Sequence, residues 1–278
     1  MALDIGSVVD LGRYPIADLD APAGRALVER CRADLRENAI CVLRGFVQQA
    51  AVERLMQDAA PALKYGHHIS EPRGAYEADE GTDWPDDHPR RMQHPCSYRQ
   101  VFSYHLRNDG MLRKLFHAEP LTEFVRVALE RKTLHPAACP SLGLTLHSAN
   151  EGDGNGWHFD PNDGVVTLML QRSDSGGDFE YAPYIRDDEQ QNYDRVAALF
   201  ADPDTHARRV AITPGDFVLF NGRYSVHRVA AIGPTAKPRV MAIFSYHHSP
   251  GYCFSQSYID HVRSFPQDAP HLGVRMRA

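Results

Sequence analysis

A histidine and an aspartate stand two positions apart in the segment GNGWHFDPND, at His158 and Asp160. The glycine- and asparagine-rich start of this segment indicates a turn, and the aromatic residues Trp157 and Phe159 favour a strand. Residues i and i+2 of a strand point to the same face, so the imidazole and the carboxylate would project together while Phe159 faces the opposite way. One imidazole beside one carboxylate supplies two of the ligands of a metal site.

A third ligand is available in the segment SVHRVAAI, where His227 follows the turn NGRYS and the apolar run DFVLF. Two imidazoles and one carboxylate on one side of a metal ion leave its other coordination positions open. This arrangement is associated with non-heme Fe(II) oxygenases. We therefore predict that His158, Asp160 and His227 bind one ferrous ion. The alternative is that both histidines are hydrogen-bonded residues of an ordinary core.

An arginine, Arg239, begins the strand segment RVMAIFSYH that follows His227. A hairpin centred on Gly233 in the connection AIGPTAKP would place His227 opposite Arg239 on one face. A guanidinium inside a barrel is costly unless it meets an anion, and its planar fork suits a carboxylate held by two hydrogen bonds. A dicarboxylate that also chelates the metal would satisfy it, whereas a surface ion pair is the alternative.

The first half of the sequence is predicted to be mostly helical. Asp20 is a candidate cap for the first of two amphipathic helices, and a short strand over Ala39 to Leu43 separates the two. The polar segment from Tyr65 to Gln100, rich in proline, glycine and acidic residues, is predicted as a long surface loop. Residues 1–140 are therefore expected to support a sheet and to supply a loop to a substrate site.

From residue 141 the pattern changes to short strands separated by glycine and proline turns, which predicts a sandwich or barrel. The strand segments are SLGLTLHS, WHFD, VVTLMLQ, DFEYAP, RRVAITP, DFVLFNG, SVHRVAAI and RVMAIFSYH. Residues 185–209 interrupt them with a predicted helix, and we hypothesise that this insertion acts as a lid over the metal. We expect a single domain, 1–278, with a barrel core over 141–250 and a C-terminal tail over 251–278.

The sequence resembles the signature of the Fe(II)- and 2-oxoglutarate-dependent oxygenases. The resemblance rests on four residues in order: His158 and Asp160 in HFD, His227 at the start of HRV, and Arg239 twelve residues after His227. The resemblance implies a mainly β fold with a helical N-terminal part, built on a double-stranded β-helix (jelly roll, cupin-like) core with packed helices. It also implies 2-oxoglutarate and O2 as co-substrates, with Arg239 binding the far carboxylate of 2-oxoglutarate. The co-products would be succinate and carbon dioxide.

The phrase GNGWHFDPND followed by VVTLMLQ is similar, within that superfamily, to a group of enzymes that act on free amino acids, some of them radical halogenases. In those halogenases a small residue replaces the acidic ligand and opens a site for chloride. Because Asp160 fills this position, we expect a hydroxylase that acts on an unactivated C–H bond of a small polar metabolite. A free amino acid is the candidate substrate class.

Four further residues are candidates for contacts in the site. Arg73 in the polar loop, Trp157 beside the metal ligand, and Ser245, which shares strand parity with Arg239, are candidates for substrate binding. His147 lies on a strand that enters the barrel and is a candidate for binding the co-substrate. Alternatively, Arg73 is simply solvated and His147 is a packed, hydrogen-bonded core residue.

Composition argues against several other classes of protein. The formal net charge of -6 disfavours a nucleic acid or an anionic membrane as partner, and no segment is long and apolar enough to span a bilayer. The five cysteines are odd in number and form no CxxC, which disfavours a disulfide framework or a structural zinc site. We expect a cytoplasmic protein with a small-molecule partner. Two alternatives remain, a cupin-like metal-dependent hydrolase or isomerase and a barrel that binds a metabolite without catalysis.

Overall fold

The computed structural model describes residues 3–76, 83–160 and 165–264. The helices in these ranges are α1 Pro22–Asn38, α2 Gln49–Leu63, α3 Met111–Phe116, α4 Glu119–Ala128, α5 Tyr193–Ala201, α6 Pro203–His206 and α7 Gln256–Ser264. The strands are β1 Ile40–Leu43, β2 His67–Ile69, β3 Arg73–Gly74, β4 Gln93–His94, β5 Tyr98–Val101, β6 His135–Pro136, β7 Leu144–Ala149, β8 Asn155–His158, β9 Val165–Gln171, β10 Phe179–Ala182, β11 Arg208–Val210, β12 Phe217–Phe220, β13 Val226–Val229 and β14 Arg239–His247. None of the described helices is long and apolar enough to cross a membrane.

Two antiparallel sheets form the body of the molecule. The larger sheet has the strand order β1-β12-β9-β14-β7-β5-β2, with β6 paired to β14, and the smaller one has the order β11-β10-β13-β8. One cavity is lined by residues of both sheets, so the sheets enclose it between them. Each predicted strand segment of the second half overlaps one of the strands β7 to β14. The predicted mainly β, jelly-roll fold with N-terminal helices is confirmed.

The segment from Tyr65 to Gln100 departs from its prediction as a surface loop. Its ends form β2 and β5, which extend the larger sheet beyond β7, and the ladder pairs Gln100 with His147. The prediction is wrong there because polar, proline-rich composition describes the middle of the segment but says nothing about distant pairing partners. The first half of the chain therefore supplies strands to the core sheet as well as helices.

The helices of the first half cover the outer face of the larger sheet. Leu27 of α1, Leu55 of α2 and Phe124 of α4 share one buried cluster with Leu168 and Phe244 of the sheet. Complete burial of such a side chain stabilises the fold by ~1.5–3 kcal/mol, so this layer of helices stabilises the larger sheet.

The start of α1 corrects a detail of the sequence prediction. No side chain caps the helix at its N-cap, Ala21, and the helix begins at Pro22. The carboxylate of Asp18, not that of Asp20, accepts a hydrogen bond from the Ala21 backbone N–H, at 3.1 Å. Proline in the first turn has no N–H to satisfy, which explains why the helix starts without a side-chain cap.

Candidate metal centre

Three side chains from two strands and one loop meet at one end of the cavity. His158 ends β8, and its direct partner in the antiparallel pairing with β13 is His227. The two ring centroids are 4.1 Å apart. Asp160 follows β8, and its Oδ1 lies 3.9 Å from His158 Nε2 and 3.6 Å from His227 Nε2. One ligand atom from each residue lies within 4.8 Å of the others, so the predicted two-histidine, one-carboxylate set is assembled.

Hydrogen bonds to the backbone orient both histidine rings. Nδ1 of His158 donates to the carbonyl oxygen of Gly156 at 2.8 Å, and Nδ1 of His227 donates to that of Ser225 at 3.0 Å. With Nδ1 protonated, the lone pair of each neutral ring is on Nε2, which faces the site.

Burial also favours the neutral, metal-binding form of these rings. It lowers the pKa of His158 well below its usual value, and the positive charge of Arg73 adds to this effect. Burial likewise lowers the pKa of His227, although the Asp160 carboxylate opposes the shift. Two neutral imidazole nitrogens and one carboxylate oxygen on one side of a pocket match the facial ligand set of non-heme Fe(II).

One turn contacts two of the three metal ligands. We call residues 221–225 the NGRYS turn, and its Gly222 carbonyl accepts a hydrogen bond from the Asp160 N–H at 3.1 Å. Ser225 in the same turn accepts the hydrogen bond from His227. The carboxylate of Asp188 holds the turn from outside, accepting from Arg223 at 3.1 Å and from the Tyr224 hydroxyl at 2.7 Å. The turn therefore connects Asp160 to His227 through hydrogen bonds to its backbone.

Arg239 lies inside the molecule, which rules out the surface ion pair. Its side chain lines the cavity, the residue is 4% exposed, and its Nε donates to the carbonyl of Gly177 at 3.2 Å. Gly177 has a φ of +71°, and a Cβ there would lie 3.0 Å from Arg239 Cδ, so only glycine fits. Burial lowers the pKa of Arg239 to about 10, helped by the nearby charge of Arg172, so the guanidinium stays charged at neutral pH. A buried cation facing a cavity needs an anionic ligand.

The predicted hairpin between His227 and Arg239 is wrong, although both residues reach the cavity. Strand β13 pairs with β8 and β10 in the smaller sheet, whereas β14 pairs with β7 and β9 in the larger one. The connection between them pairs instead with the turn after β9, through a bridge between Gly176 and Ile232. His227 and Arg239 therefore lie on opposite walls of the cavity.

Three of the four other predicted site residues line this cavity of about 240 Å³. His147 lies with its ring centroid 4.4 Å from that of Tyr98, and burial with the charges of Arg239 and Arg73 lowers the pKa of His147 to about 3. Arg73 donates from Nη1 to Asn155 Oδ1 at 3.2 Å, so it is not simply solvated. Ser245 is buried on the same strand as Arg239.

Trp157 does not line the cavity, which corrects its prediction as a substrate contact. The indole is 2% exposed, and the guanidinium of Arg228 lies 4.7 Å from its ring centroid. Adjacent residues of a strand face opposite sides, so the orientation that brings His158 into the cavity turns Trp157 away from it.

Some cavity residues were missed by sequence reasoning. Tyr98 and Gln100 of β5 line it at alternate positions, and this alternation in SYRQV was the available signal. Phe254 and Tyr258, in the segment predicted as a tail, also line it. Tyr258 belongs to α7 and Phe254 precedes it, and the helix is anchored by Ile259 and Val262, which are buried in a cluster with Leu142 and other residues.

The insertion 185–209 lies behind the metal ligands. Among the described residues, none from 185 to 209 lines the cavity, so the lid hypothesis finds no support. Its helix α5 buries Val196 and Leu199 in one cluster with Trp157, Phe159 and Tyr76. The insertion therefore packs against the outward face of the strand that carries His158.

A family model described as Halogenase D, HalD, matches residues 24–253 of the chain. The protein belongs to the Halogenase D family. A search of curated proteins found no match. As a member of the Fe(II)- and 2-oxoglutarate-dependent oxygenase superfamily, it uses iron and 2-oxoglutarate, and His158, Asp160 and His227 form a facial ligand set for the iron.

Solved structures share the fold of this family member at low sequence identity. The epimerase SnoN, in complex with Fe3+, alpha ketoglutarate and nogalamycin RO, is 17% identical with a TM-score of 0.56, and the match covers 90% of this chain and 98% of SnoN. AviO1 from Streptomyces viridochromogenes is 16% identical with a TM-score of 0.55, covering 82% and 97%. A 2OG-Fe(II) oxygenase family oxidoreductase from Burkholderia pseudomallei is 16% identical with a TM-score of 0.51, covering 81% and 92%.

Proposed function

We propose that this Halogenase D family member is a hydroxylase of a small carboxylate-bearing metabolite, with free amino acids as the substrate class. One observation carries the choice of hydroxylation. The carboxylate of Asp160 lies 3.9 and 3.6 Å from the ligand nitrogens of the two histidines, where it completes a three-residue ligand set. A halide that replaces the acidic ligand needs the position that this carboxylate occupies.

The residues of the chain bind, orient and neutralise charge. His158 and His227 present Nε2 because their Nδ1 atoms are held by backbone carbonyls. When bound, iron with 2-oxoglutarate and O2 supplies an oxidant strong enough to remove a hydrogen atom from an unactivated carbon. Arg239 binds the far carboxylate of 2-oxoglutarate with its buried guanidinium. His147 is neutral because burial lowers its pKa, and it lines the same cavity as Arg239, where it hydrogen-bonds the co-substrate.

The polarity of the cavity supports an anionic group on the substrate. Its described lining contains two guanidinium groups, those of Arg239 and Arg73. With Arg239 assigned to 2-oxoglutarate, Arg73 is available for a carboxylate of the substrate, and its hydrogen bond to Asn155 fixes its direction. Ser245 and Tyr98 add hydroxyl groups to the same lining. The small volume of about 240 Å³ favours a metabolite over a peptide.

The test combines a binding signal with product analysis. Anaerobic addition of Fe(II) and 2-oxoglutarate should give the weak visible charge-transfer absorption of the chelated complex, and Asp160→Ala should abolish it. Aerobic turnover with a panel of free amino acids, in buffer that contains chloride, should then release succinate and a product that has gained one oxygen atom by mass spectrometry. Absence of absorption from the native protein would contradict the assignment.

Halogenation is the second candidate, and the description of the family favours it. It predicts that the native protein, with Asp160 in place, yields a chlorinated product in the same assay. A chlorinated product from the native protein would replace the hydroxylase proposal.

A further inference from the structure

Gly222 of the NGRYS turn lies directly against the carboxylate of Asp160. A Cβ built on Gly222 would lie 2.6 Å from Cγ of Asp160 and 3.0 Å from its Cβ, and still closer to Oδ2. The three nearest atoms to this Cβ all belong to Asp160. Such approaches are closer than carbon atoms in packed proteins tolerate, so any side chain at this position would displace the carboxylate.

The backbone itself gives no reason for glycine at this position. Gly222 is not among the residues with a positive φ, the conformation that commonly requires glycine. An alanine could adopt the same backbone conformation if the carboxylate were absent. The closest obstacles to a side chain at this position are therefore atoms of Asp160.

We propose that Gly222 is a positioning residue that admits a carboxylate as the third ligand of the metal. Its missing side chain gives the carboxylate room, and its carbonyl accepts the Asp160 N–H at 3.1 Å and fixes the backbone beside it. Of the two carboxylate oxygens, Oδ2 is the one pressed against Gly222, while Oδ1 faces the histidines. The proposal rests on the metal centre and deepens the proposed function, because it names a residue that selects the ligand set.

The decisive experiment is a double-mutant cycle on metal affinity. The variants are Gly222→Ala, Asp160→Ala and the double variant, with Gly12→Ala as the matched control. Gly12 is exposed, has no positive φ, and a Cβ there would lie at an ordinary 3.4 Å from its nearest neighbour. Mn(II) affinity is measured by calorimetry, Co(II) absorption reports the ligand set, and thermal unfolding reports folding.

Gly222→Ala should weaken Mn(II) binding about 10–100-fold, the range seen when a residue that orients a metal ligand is lost. Asp160→Ala should also weaken it, and the double variant should bind as Asp160→Ala does, because the added methyl group then occupies the space left by the carboxylate. The Co(II) spectrum of Gly222→Ala should resemble that of Asp160→Ala. The Gly12→Ala control should match the native protein.

Other results would overturn the proposal. These are native-like Mn(II) affinity in Gly222→Ala, a full additional loss of affinity in the double variant, or failure of both Gly222 variants to fold. Failure of Gly222→Ala alone to fold, with a folded double variant, would support it, because loss of the carboxylate removes the two closest contacts and leaves, of the three, only the one with Cβ of residue 160 at 3.0 Å. The cycle uses no substrate, so its result does not depend on the reaction catalysed. A halogenated product from the native protein would contradict the proposed function but not this inference.

Discussion

Two backbone carbonyls decide which nitrogen of each metal-binding histidine faces the iron. Those of Gly156 and Ser225 each accept an Nδ1–H, so the His158 and His227 rings arrive in the correct tautomer before any metal binds. This arrangement reduces the reorganisation needed on metal binding, since the ligand atoms are already oriented. Each histidine takes its partner two residues earlier in its own strand segment, so local sequence sets the ring orientation.

Replacement of Arg239 should affect 2-oxoglutarate and leave the metal bound. Arg239→Gln removes a buried, charged donor, and a hydrogen bond to a charged group contributes about 1.5–3 kcal/mol, so the KM for 2-oxoglutarate should rise at least ~10-fold. Steady-state kinetics with varied 2-oxoglutarate, together with Mn(II) calorimetry, measures both effects. Arg208→Gln, which removes a cation outside the cavity lining, serves as control. An unchanged KM in Arg239→Gln would contradict the assigned role.

At the scale of elements, the insertion 185–209 supports the metal site from behind. The guanidinium of Arg186 lies 3.7 Å from the centroid of the Phe159 ring, and Tyr76 packs on the same ring at 5.2 Å. Phe159 is the residue between His158 and Asp160, so these contacts hold the point where strand β8 ends. Cation–π contacts contribute ~0.5–1 kcal/mol at exposed sites and about 2 kcal/mol when desolvated.

Helix α7 contributes Tyr258 to the cavity lining, and this side chain is exposed enough to be replaced with little effect on folding. Tyr258 is 50% exposed yet lines the cavity, so Tyr258→Ala should change stability little while raising the KM for substrate several-fold. The KM for 2-oxoglutarate should stay near the native value, because Arg239 is on another element. Trp84→Ala, which removes another exposed aromatic ring outside the lining, is the control. Equal rises in both KM values would argue against a substrate wall.

Local sequence patterns predicted the metal ligands, whereas the pairing of strands distant in sequence decided how the other site residues are arranged. Strand parity places His158 and Asp160 on one face, which sequence alone can establish. Which sheet receives β14 depends on its pairing with β7 and β9, so a hairpin between His227 and Arg239 was a reasonable but wrong expectation. Gly222 was missed because asparagine followed by glycine after an apolar strand is typical of a turn. Its role depends on Asp160, which lies far earlier in the chain.

At the scale of the whole molecule, buried neutral histidines make the fold sensitive to acid. Burial lowers the pKa of His147 to about 3 and that of His94 to about 4, from 6.5 in the unfolded chain. At pH values between the folded and the unfolded pKa of these histidines, the unfolded chain binds more protons than the folded one. The free energy of unfolding therefore decreases as pH falls below about 6.5.

Urea unfolding of the metal-free protein at several pH values between about 4 and 7 would measure this dependence. His147→Gln should flatten it, because one of the groups that gain a proton on unfolding is gone. The exposed His248→Gln is the control and should keep the native slope. Parallel losses of stability in His147→Gln and the native protein would show that His147 does not contribute.

The placement of the binding groups on separate walls has a consequence for co-substrate choice. The two histidines belong to the smaller sheet, whereas Arg239 belongs to the larger one, so a diacid held at both ends must bridge the gap between the sheets. The width of that gap therefore limits which diacids can be held at both ends. A keto diacid shorter by one methylene should therefore bind more weakly than 2-oxoglutarate, because one of its ends would lose its partner when the other is held.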